Sequence, residues 1–203
     1  MTQHLATTHR SPDPISVLIC QHRTCRKQGS AEVLTAFRSL TIPNITYEGC
    51  GCLGNCGNGP MVLILPTRIW YYLVQPQDVS IIAVVLRKFM NTILHITQKQ
   101  EWEKAQDLGT YRSSTLASEG FIHCSTLAQV IGSANRFFKG QKDLVILKID
   151  IDRVNPEIRY EGGDANNLFP HIYGELNIDA VIASIDLEAD VDGLFILPKE
   201  LIG

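Results

Sequence analysis

The sequence predicts two domains: an α/β domain over residues 15–90 and an α+β, strand-rich domain over residues 91–203. Two observations carry the division. Strand-length apolar runs and helical apolar periods alternate in the order β-α-β-β-β-α through the first segment, then give way to a mostly strand pattern. Charge divides in the same way. Residues 1–90 hold eight Lys and Arg against four Asp and Glu, a net of +4, and residues 91–203 hold ten against seventeen, a net of −7. Opposite charges of this kind favour contact between two domains or between copies of the chain.

The first domain opens on an apolar strand at 16–20. Ser30 is placed to cap a helix over 30–40, with Val33, Ala36, Phe37 and Leu40 at helical spacing, and Pro43 stops it. A short strand at 45–48 leads into a glycine- and cysteine-rich loop over 49–60. Two β-rich runs at 61–65 and 69–74 suit a hairpin. Asp78 can cap a last helix whose apolar face is Val79, Ile82, Ala83, Leu86 and Phe89. The order is that of a minimal thioredoxin fold.

In the second domain a strand at 92–96 precedes Thr97 and Gln100, which fit a capping box for a helix carrying Trp102, Ala105 and Leu108. A strand at 121–124 follows. Thr126 and Gln129 form a second capping pattern, opening a helix with Leu127, Val130, Ile131, Ala134, Phe137 and Phe138 on one face and Gly140 at its end. Further strands are expected at 144–151, 158–160, 180–185 and 194–197.

Composition narrows the function classes. At 45% hydrophobic and 19% charged residues the chain reads as a soluble globular protein. Residues 1–14 are polar, contain two prolines and lack the apolar core of a secretion signal, which predicts a disordered tail on a cytoplasmic protein. No apolar run approaches the roughly 18–20 residues that span a bilayer. No long basic run points to nucleic acid. Five of the six cysteines lie between positions 20 and 56. In a reducing compartment such clustering points to metal or redox chemistry rather than a disulfide scaffold.

The cysteine spacing is Cys20-x4-Cys25 and Cys52-x3-Cys56. A [2Fe–2S] cluster takes four thiolates, two on each iron, so each pair must come from a short loop that wraps one tetrahedral ion. Both pairs follow predicted strands, and two such loops can meet at one end of a sheet. Glycines at 49, 51, 54, 57 and 59 let the backbone approach the sulfides, where N–H groups can hydrogen-bond sulfur. Four thiolates would also suit a structural zinc ion. Cys50 is either a substitute ligand or a free thiol. No C-x-x-C pair exists for a dithiol oxidoreductase. Gly49, Gly51 and Gly54 match the dinucleotide fingerprint in form, but no helical pattern follows them and two of the variable positions are cysteines.

This pattern, with C-L-G-N-C-G-N-G-P over 52–60 followed by Met61, Val62, Trp70, Tyr71 and Tyr72, resembles the thioredoxin-like [2Fe–2S] ferredoxins. It is also similar to the small cluster-bearing subunit of respiratory complex I and of related hydrogenases. The resemblance spans residues 15–90. It implies ligation by Cys20, Cys25, Cys52 and Cys56, one-electron transfer to a redox partner protein, and a homodimer through this domain.

The polar residues that stand out in the second domain are His95, His123, Ser125, Arg136, His171 and Tyr173. Strand alternation puts His123 and Ser125 on one face and Cys124, read as a small buried residue, on the other. His95 points opposite to its apolar neighbours. His95, His123 and Ser125 are candidate catalytic residues. Arg136, His171 and Tyr173 are candidate ligand-binding residues, with Arg136 suited to an anionic group. A metal triad of His95, His123 and His171 has no supporting spacing.

The runs L-H-I-T at 94–97, E-G-F-I-H-C-S at 119–125, A-N-R-F-F at 134–138, R-Y-E at 159–161 and F-P-H-I-Y-G at 169–174 resemble a small bacterial domain of unknown function. The resemblance spans residues 92–198. That domain is linked by remote similarity to the ADP-ribosyltransferase fold. The implied ligand is NAD or a related nucleotide, with His95 on the NAD ribose, Ser125 on the second core strand, residues 169–174 near the third motif and Glu175 in the place of a catalytic glutamate. The expected protein is a [2Fe–2S] electron carrier fused to an NAD- or nucleotide-binding domain. A redox sensor whose cluster state regulates the second domain is the alternative.

Overall fold

An apolar run with alternating burial makes β1 (Ile15–Cys20) an inner strand of the first sheet, with Val17 and Ile19 fully buried. In the computed structural model the described residues are 15–42, 44–162 and 168–201. The expected tail over 1–14 and the helix stop at Pro43 lie outside them. After β1 come the short helix α1 (Arg23–Lys27), α2 (Ser30–Arg38), β2 (Ile45–Cys50), β3 (Val62–Leu65), β4 (Ile69–Tyr71) and α3 (Val79–Met90). The sheet order is β2-β1-β3-β4. β2 runs parallel to β1, with Cys20 opposite Cys50, and β3 runs antiparallel on the other side. Phe37, Ile82 and Leu86 from the helices and Val17, Ile19 and Ile64 from the sheet are buried.

Three local details differ from expectation. Gly29, at φ +94°, precedes α2 in the capping position, and Ser30 is buried as the first helical residue; the left-handed backbone there suits glycine. Asp78 caps from inside a 3₁₀ turn over Pro76–Asp78: its carboxylate accepts from the Gln75 N–H at 2.8 Å, and its own N–H donates to the Gln75 carbonyl. β4 stops at Tyr71. Leu73 and Val74 instead donate their N–H groups to the carbonyls of Asn58 and Pro60, tying the cysteine-bearing loop down.

The second unit begins at Met90. Its elements are β5 (Thr92–Gln98), α4 (Lys99–Leu108), β6 (Thr110–Tyr111), α5 (Ser114–Ser118), β7 (Ile122–His123), α6 (Val130–Phe137), β8 (Leu144–Asp150), β9 (Glu157–Glu161), β10 (Phe169–Tyr173), β11 (Leu176–Asn177) and β12 (Val181–Leu187). Two antiparallel three-stranded sheets, β12-β8-β5 and β7-β10-β9, are accompanied by the pair β11-β6. Leu94 of β5 and Ser125 exchange backbone hydrogen bonds of 2.8 and 2.7 Å, joining the two larger sheets. β8 is apolar on both faces because each covers a core. Val145, Leu147 and Ile149 pack with Trp102, Tyr111 and Ile172, whereas Leu144 and Ile146 pack with Val130, Ala134 and Phe195.

Thr97 does not cap α4. Gln98 holds that position, and the Thr97 hydroxyl bonds Tyr111 and Glu101 instead. Leu108 and Phe137, expected on apolar faces, are exposed. Residues 194–197 make only a bridge between Ala189 and Phe195. β6, β10, β11 and α5 were not among the expected elements. No helix among the described residues is long and apolar enough to cross a membrane.

Candidate functional site

The five clustered cysteines meet at one end of the first sheet. β1 delivers Cys20 beside Cys50 of β2, and the Gln21 N–H donates to the Cys50 carbonyl at 2.9 Å, turning the chain into α1. α1 carries Cys25 inward, where Cys20, Cys25, Met61 and Leu53 pack together. Cys20 and Cys25 are buried, Cys50 half-buried, and Cys52 and Cys56 exposed. The thiols of Cys52 and Cys56 are 3.5 Å apart, and the Gly54 N–H points at Cys52 Sγ from 3.4 Å. Gly54 does so at φ +84°. Opposite, a Cβ on Gly59 would lie 2.5 Å from Cys25 Sγ, so only glycine fits against that thiol.

The thiols feel one another. Burial pushes the Cys25 thiol up, and Cys20 and Cys56 add to the effect, against a backbone N–H from Met61. Cys56 is raised chiefly through its contact with Cys52. Cys50 is raised by burial, then by Cys20 and Cys52. Burial and mutual contact thus disfavour the ionised form of Cys25, Cys50 and Cys56, and a bound cation would offset this. The donor set fits a two-iron cluster better than a single four-cysteine ion. A metal–thiolate bond of about 2.3 Å puts two thiolates on one tetrahedral ion about 3.8 Å apart, close to the Cys52–Cys56 separation. Cys20 and Cys25 are not members of the tight ligand group around that pair, which instead includes the His22 ring, all three ligand atoms lying within 4.8 Å of one another. Arg23, Arg26 and Lys27 flank the site and suit an anionic cluster.

In the second unit one face of β7-β10-β9 gathers the chemistry. Strand alternation sends Ile122, Ile158 and Ile172 into the core and brings His123, Arg159, Glu161, His171 and Tyr173 to the other face. His123 and His171 are directly paired across β7 and β10, with ring centroids 4.9 Å apart. Phe121 stacks on His171 at 4.2 Å. His123 Nε2 lies 3.0 Å from Glu119 Oε2, and His171 Nδ1 lies 3.2 Å from Glu161 Oε1. Glu161 also accepts from the Tyr173 hydroxyl, which draws its carboxyl below the usual range. The Arg159 guanidinium sits 4.2 Å from the Tyr173 ring centroid. Burial pulls His171 down while Glu161 opposes it. Glu161→Gln is therefore expected to move the His171 midpoint to lower pH. A histidine-resolved NMR titration checks this, and an unmoved midpoint would refute the pairing.

His95 and Ser125 lie elsewhere than expected. The His95 ring is buried, with Nδ1 2.6 Å from the His123 carbonyl and Nε2 2.8 Å from the Tyr111 hydroxyl. Both nitrogens are thus engaged within the core, and no triad with His123 and His171 forms. Burial lowers its pKa to about 4. The Tyr111 oxygen also lies 2.8 Å from Thr97 Oγ1, which donates to Glu101. Nδ1 must donate to the carbonyl, so neutral His95 needs the Tyr111 proton on Nε2, whereas charged His95 frees that proton for Thr97. The hydroxyl of Tyr111 has one setting for each charge state.

Ser125 follows the end of β7, so the alternation does not extend to it; its hydroxyl bonds Ser133 of α6 at 3.1 Å. Cys124 is buried and its thiol raised by burial. Arg136 is exposed, against the Phe137 ring. Glu175 pairs with Thr110 and Arg112 at the surface. Sequence reasoning missed His22, Phe121 and Glu161; the i, i+2 pairs Phe121–His123, Arg159–Glu161 and His171–Tyr173 were the available signal for the latter two.

Four similarities bear on these sites. Residues 96–184 match a family model described as "Protein of unknown function (DUF952)". The chain is similar to the crystal structure of protein CC0527 from Caulobacter crescentus, with 31% identity, a TM-score of 0.50, and coverage of 54% of this chain and 97% of that one. It is 35% identical over 63 residues to a 2Fe–2S ferredoxin from Aquifex aeolicus (strain VF5), a match spanning 28% of this chain and 57% of the ferredoxin. The crystal structure of the thioredoxin-like [2Fe–2S] ferredoxin from Aquifex aeolicus aligns with 30% identity and a TM-score of 0.33, covering 36% of this chain and 84% of that one. Residues 96–184 of this chain thus match the DUF952 family model, and a separate segment is similar to a 2Fe–2S ferredoxin.

Proposed function

We propose that the first unit is a thioredoxin-like ferredoxin domain holding a [2Fe–2S] cluster through Cys20, Cys25, Cys52 and Cys56. The observation that carries this reading is the pairing of thiols: a buried pair, and an exposed pair at 3.5 Å. The sheet order β2-β1-β3-β4 with α2 and α3, and the ferredoxin similarity, support it. Such a cluster supplies one-electron transfer. The chain's own part is to bury one side of the site behind Met61 and Leu53 and to aim backbone N–H groups at sulfur, which tunes a cluster's potential. The other side, around Cys52 and Cys56, is open, and a redox partner protein would dock there.

The test is the absorption and EPR spectrum of anaerobically purified protein, with iron and sulfide quantified. Cys→Ser at 20, 25, 52 or 56 is expected to remove most of the iron, and Cys50→Ser to leave it. A colourless protein that stays iron-free after reconstitution removes electron transfer from the account.

In the second unit the reading is a ligand-binding face for a planar, anionic molecule of the nucleotide type. Its support is the ring platform of Phe121, His123 and His171 beside the Arg159 cation. ADP-ribosyl transfer finds no such support, since Glu175 is paired away from this face with Thr110 and Arg112. Calorimetry with NAD and simpler nucleotides tests the reading; absence of binding to the wild-type chain ends it.

A further inference from the structure

His22 has no part in the four-cysteine reading. It occupies the capping position of α1, yet its side chain makes no capping bond. Its ring nitrogen instead belongs to a group with Cys52 Sγ and Cys56 Sγ, all within 4.8 Å of one another and all on exposed residues. An iron of a [2Fe–2S] cluster held by Cys52 and Cys56 already has four sulfur ligands, two thiolates and two sulfides, and has no place for an imidazole. A single ion does have one. Two thiolates and one imidazole are the three-ligand set that leaves the fourth tetrahedral position to water.

We propose that His22, Cys52 and Cys56 form a mononuclear site for a divalent thiophilic ion, zinc being the natural occupant, which is filled when the cluster is absent. Thiolate and imidazole donors select zinc over magnesium or calcium. The thiol separation of 3.5 Å is near a tetrahedral edge, and the Gly54 N–H already orients Cys52 Sγ. On binding, both thiols release their protons to solvent and the imidazole binds through an unprotonated nitrogen. The zinc and cluster states exclude each other, because they share Cys52 and Cys56. That exclusion rests on the ferredoxin reading; the zinc site itself does not.

The experiment is a titration of the reduced, anaerobic, metal-free full chain with Co²⁺ as spectroscopic probe, followed by Zn²⁺ in competition with a chromophoric chelator. Wild type is expected to bind one equivalent, with thiolate-to-cobalt charge-transfer bands and the intense visible bands of a four-coordinate ion. His22→Ala is expected to weaken binding by about tenfold or more, as loss of one of three protein ligands should. Cys52→Ser or Cys56→Ser should abolish it, and Cys20→Ser and Cys25→Ser should leave it unchanged. One equivalent of zinc should block iron–sulfide reconstitution in wild type and block it less in His22→Ala, whose cluster content is otherwise normal. Wild-type affinity in His22→Ala, or equal losses in Cys20→Ser and Cys52→Ser, would overturn the proposal, the second result indicating a four-cysteine ion. Should wild type never take up a cluster, the ferredoxin reading fails while the cobalt titration still decides the site.

Discussion

Gly59→Ala is expected to destabilise the first unit by about 2 kcal/mol, the middle of the range for overpacking a filled interior, and to strip iron from the cysteine site. The added methyl would lie 2.5 Å from Cys25 Sγ, 2.8 Å from Gln28 Oε1 and 3.4 Å from Cys25 Cα. The Gln28 amide is the end of a flexible side chain and can swing away. Cys25 cannot, because it is packed behind Cys20, Met61 and Leu53 and is only 2% exposed. Its backbone is held as well: Gln28 donates to the Cys25 carbonyl, and Arg26 donates to His22. Gly59 is not in the left-handed region, so lack of space alone explains the glycine. Gly51, with nothing within 4 Å of its Cβ position, is the matched control, and Gly51→Ala should be near neutral. Urea unfolding of the metal-free chain, with iron content measured on the reconstituted one, reads both effects. A Gly59→Ala variant with wild-type midpoint and iron would show that Cys25 is not fixed where the structure puts it.

The features that follow a simple period were legible in the sequence, and those set by tertiary partners were not. Alternation correctly separates the buried Cys124 from His123, and the apolar run expected as a strand at 144–151 is β8. α1 was invisible because Arg23–Lys27 is a polar five-residue helix with no apolar period. Phe137 and Phe138 both satisfy helical spacing from Ala134, at i+3 and i+4. Only Phe138 turns inward at the helix end, and no local signal decides between them. Thr97 fits a cap because its hydroxyl can bond locally; it bonds the Glu101 carboxylate rather than a helix N–H, and Tyr111, fourteen positions away, approaches its oxygen. No strand is expected from the sequence at 169–173, yet β10 is the middle strand of its sheet. Pro170 contributes a carbonyl that accepts from the Cys124 N–H, and its missing donor is not called on there. At the cysteine site the spacing named the ligand type. Which thiols are buried, and that His22 approaches two of them, depends on how the loop over 52–60 is pinned to Leu73 and Val74.

Acidification is expected to cost the second unit about 3 kcal/mol through His95 alone. Burial is the main cause of its lowered pKa. The hydrogen bond to the His123 carbonyl opposes that, and the neighbouring His123 ring adds to it. The unfolded chain takes up a proton at the ordinary value near 6.5, whereas the folded one takes it up at about 4. Between those values the unfolded state holds more protons, so stability rises with pH. The contribution is complete above 6.5, falls away as the pH is lowered toward 4, and changes no further below. His171 is lowered too and leans in the same direction, but Glu161 opposes its shift and it is less enclosed. His95→Gln keeps a donor for the His123 carbonyl and an acceptor for Tyr111 while removing the titration. Its unfolding free energy should therefore be flatter across pH 6.5–4 than that of wild type, by roughly 1.4 kcal/mol per pH unit. Tyr111→Phe makes the complementary change. It leaves the buried Nε2 unpaired and should cost about 1–3 kcal/mol at neutral pH, while leaving His95 to titrate. If His95→Gln shows the wild-type slope, the buried imidazole is not the group that takes up the proton, and the two settings of the Tyr111 hydroxyl have no charge state of His95 to answer to.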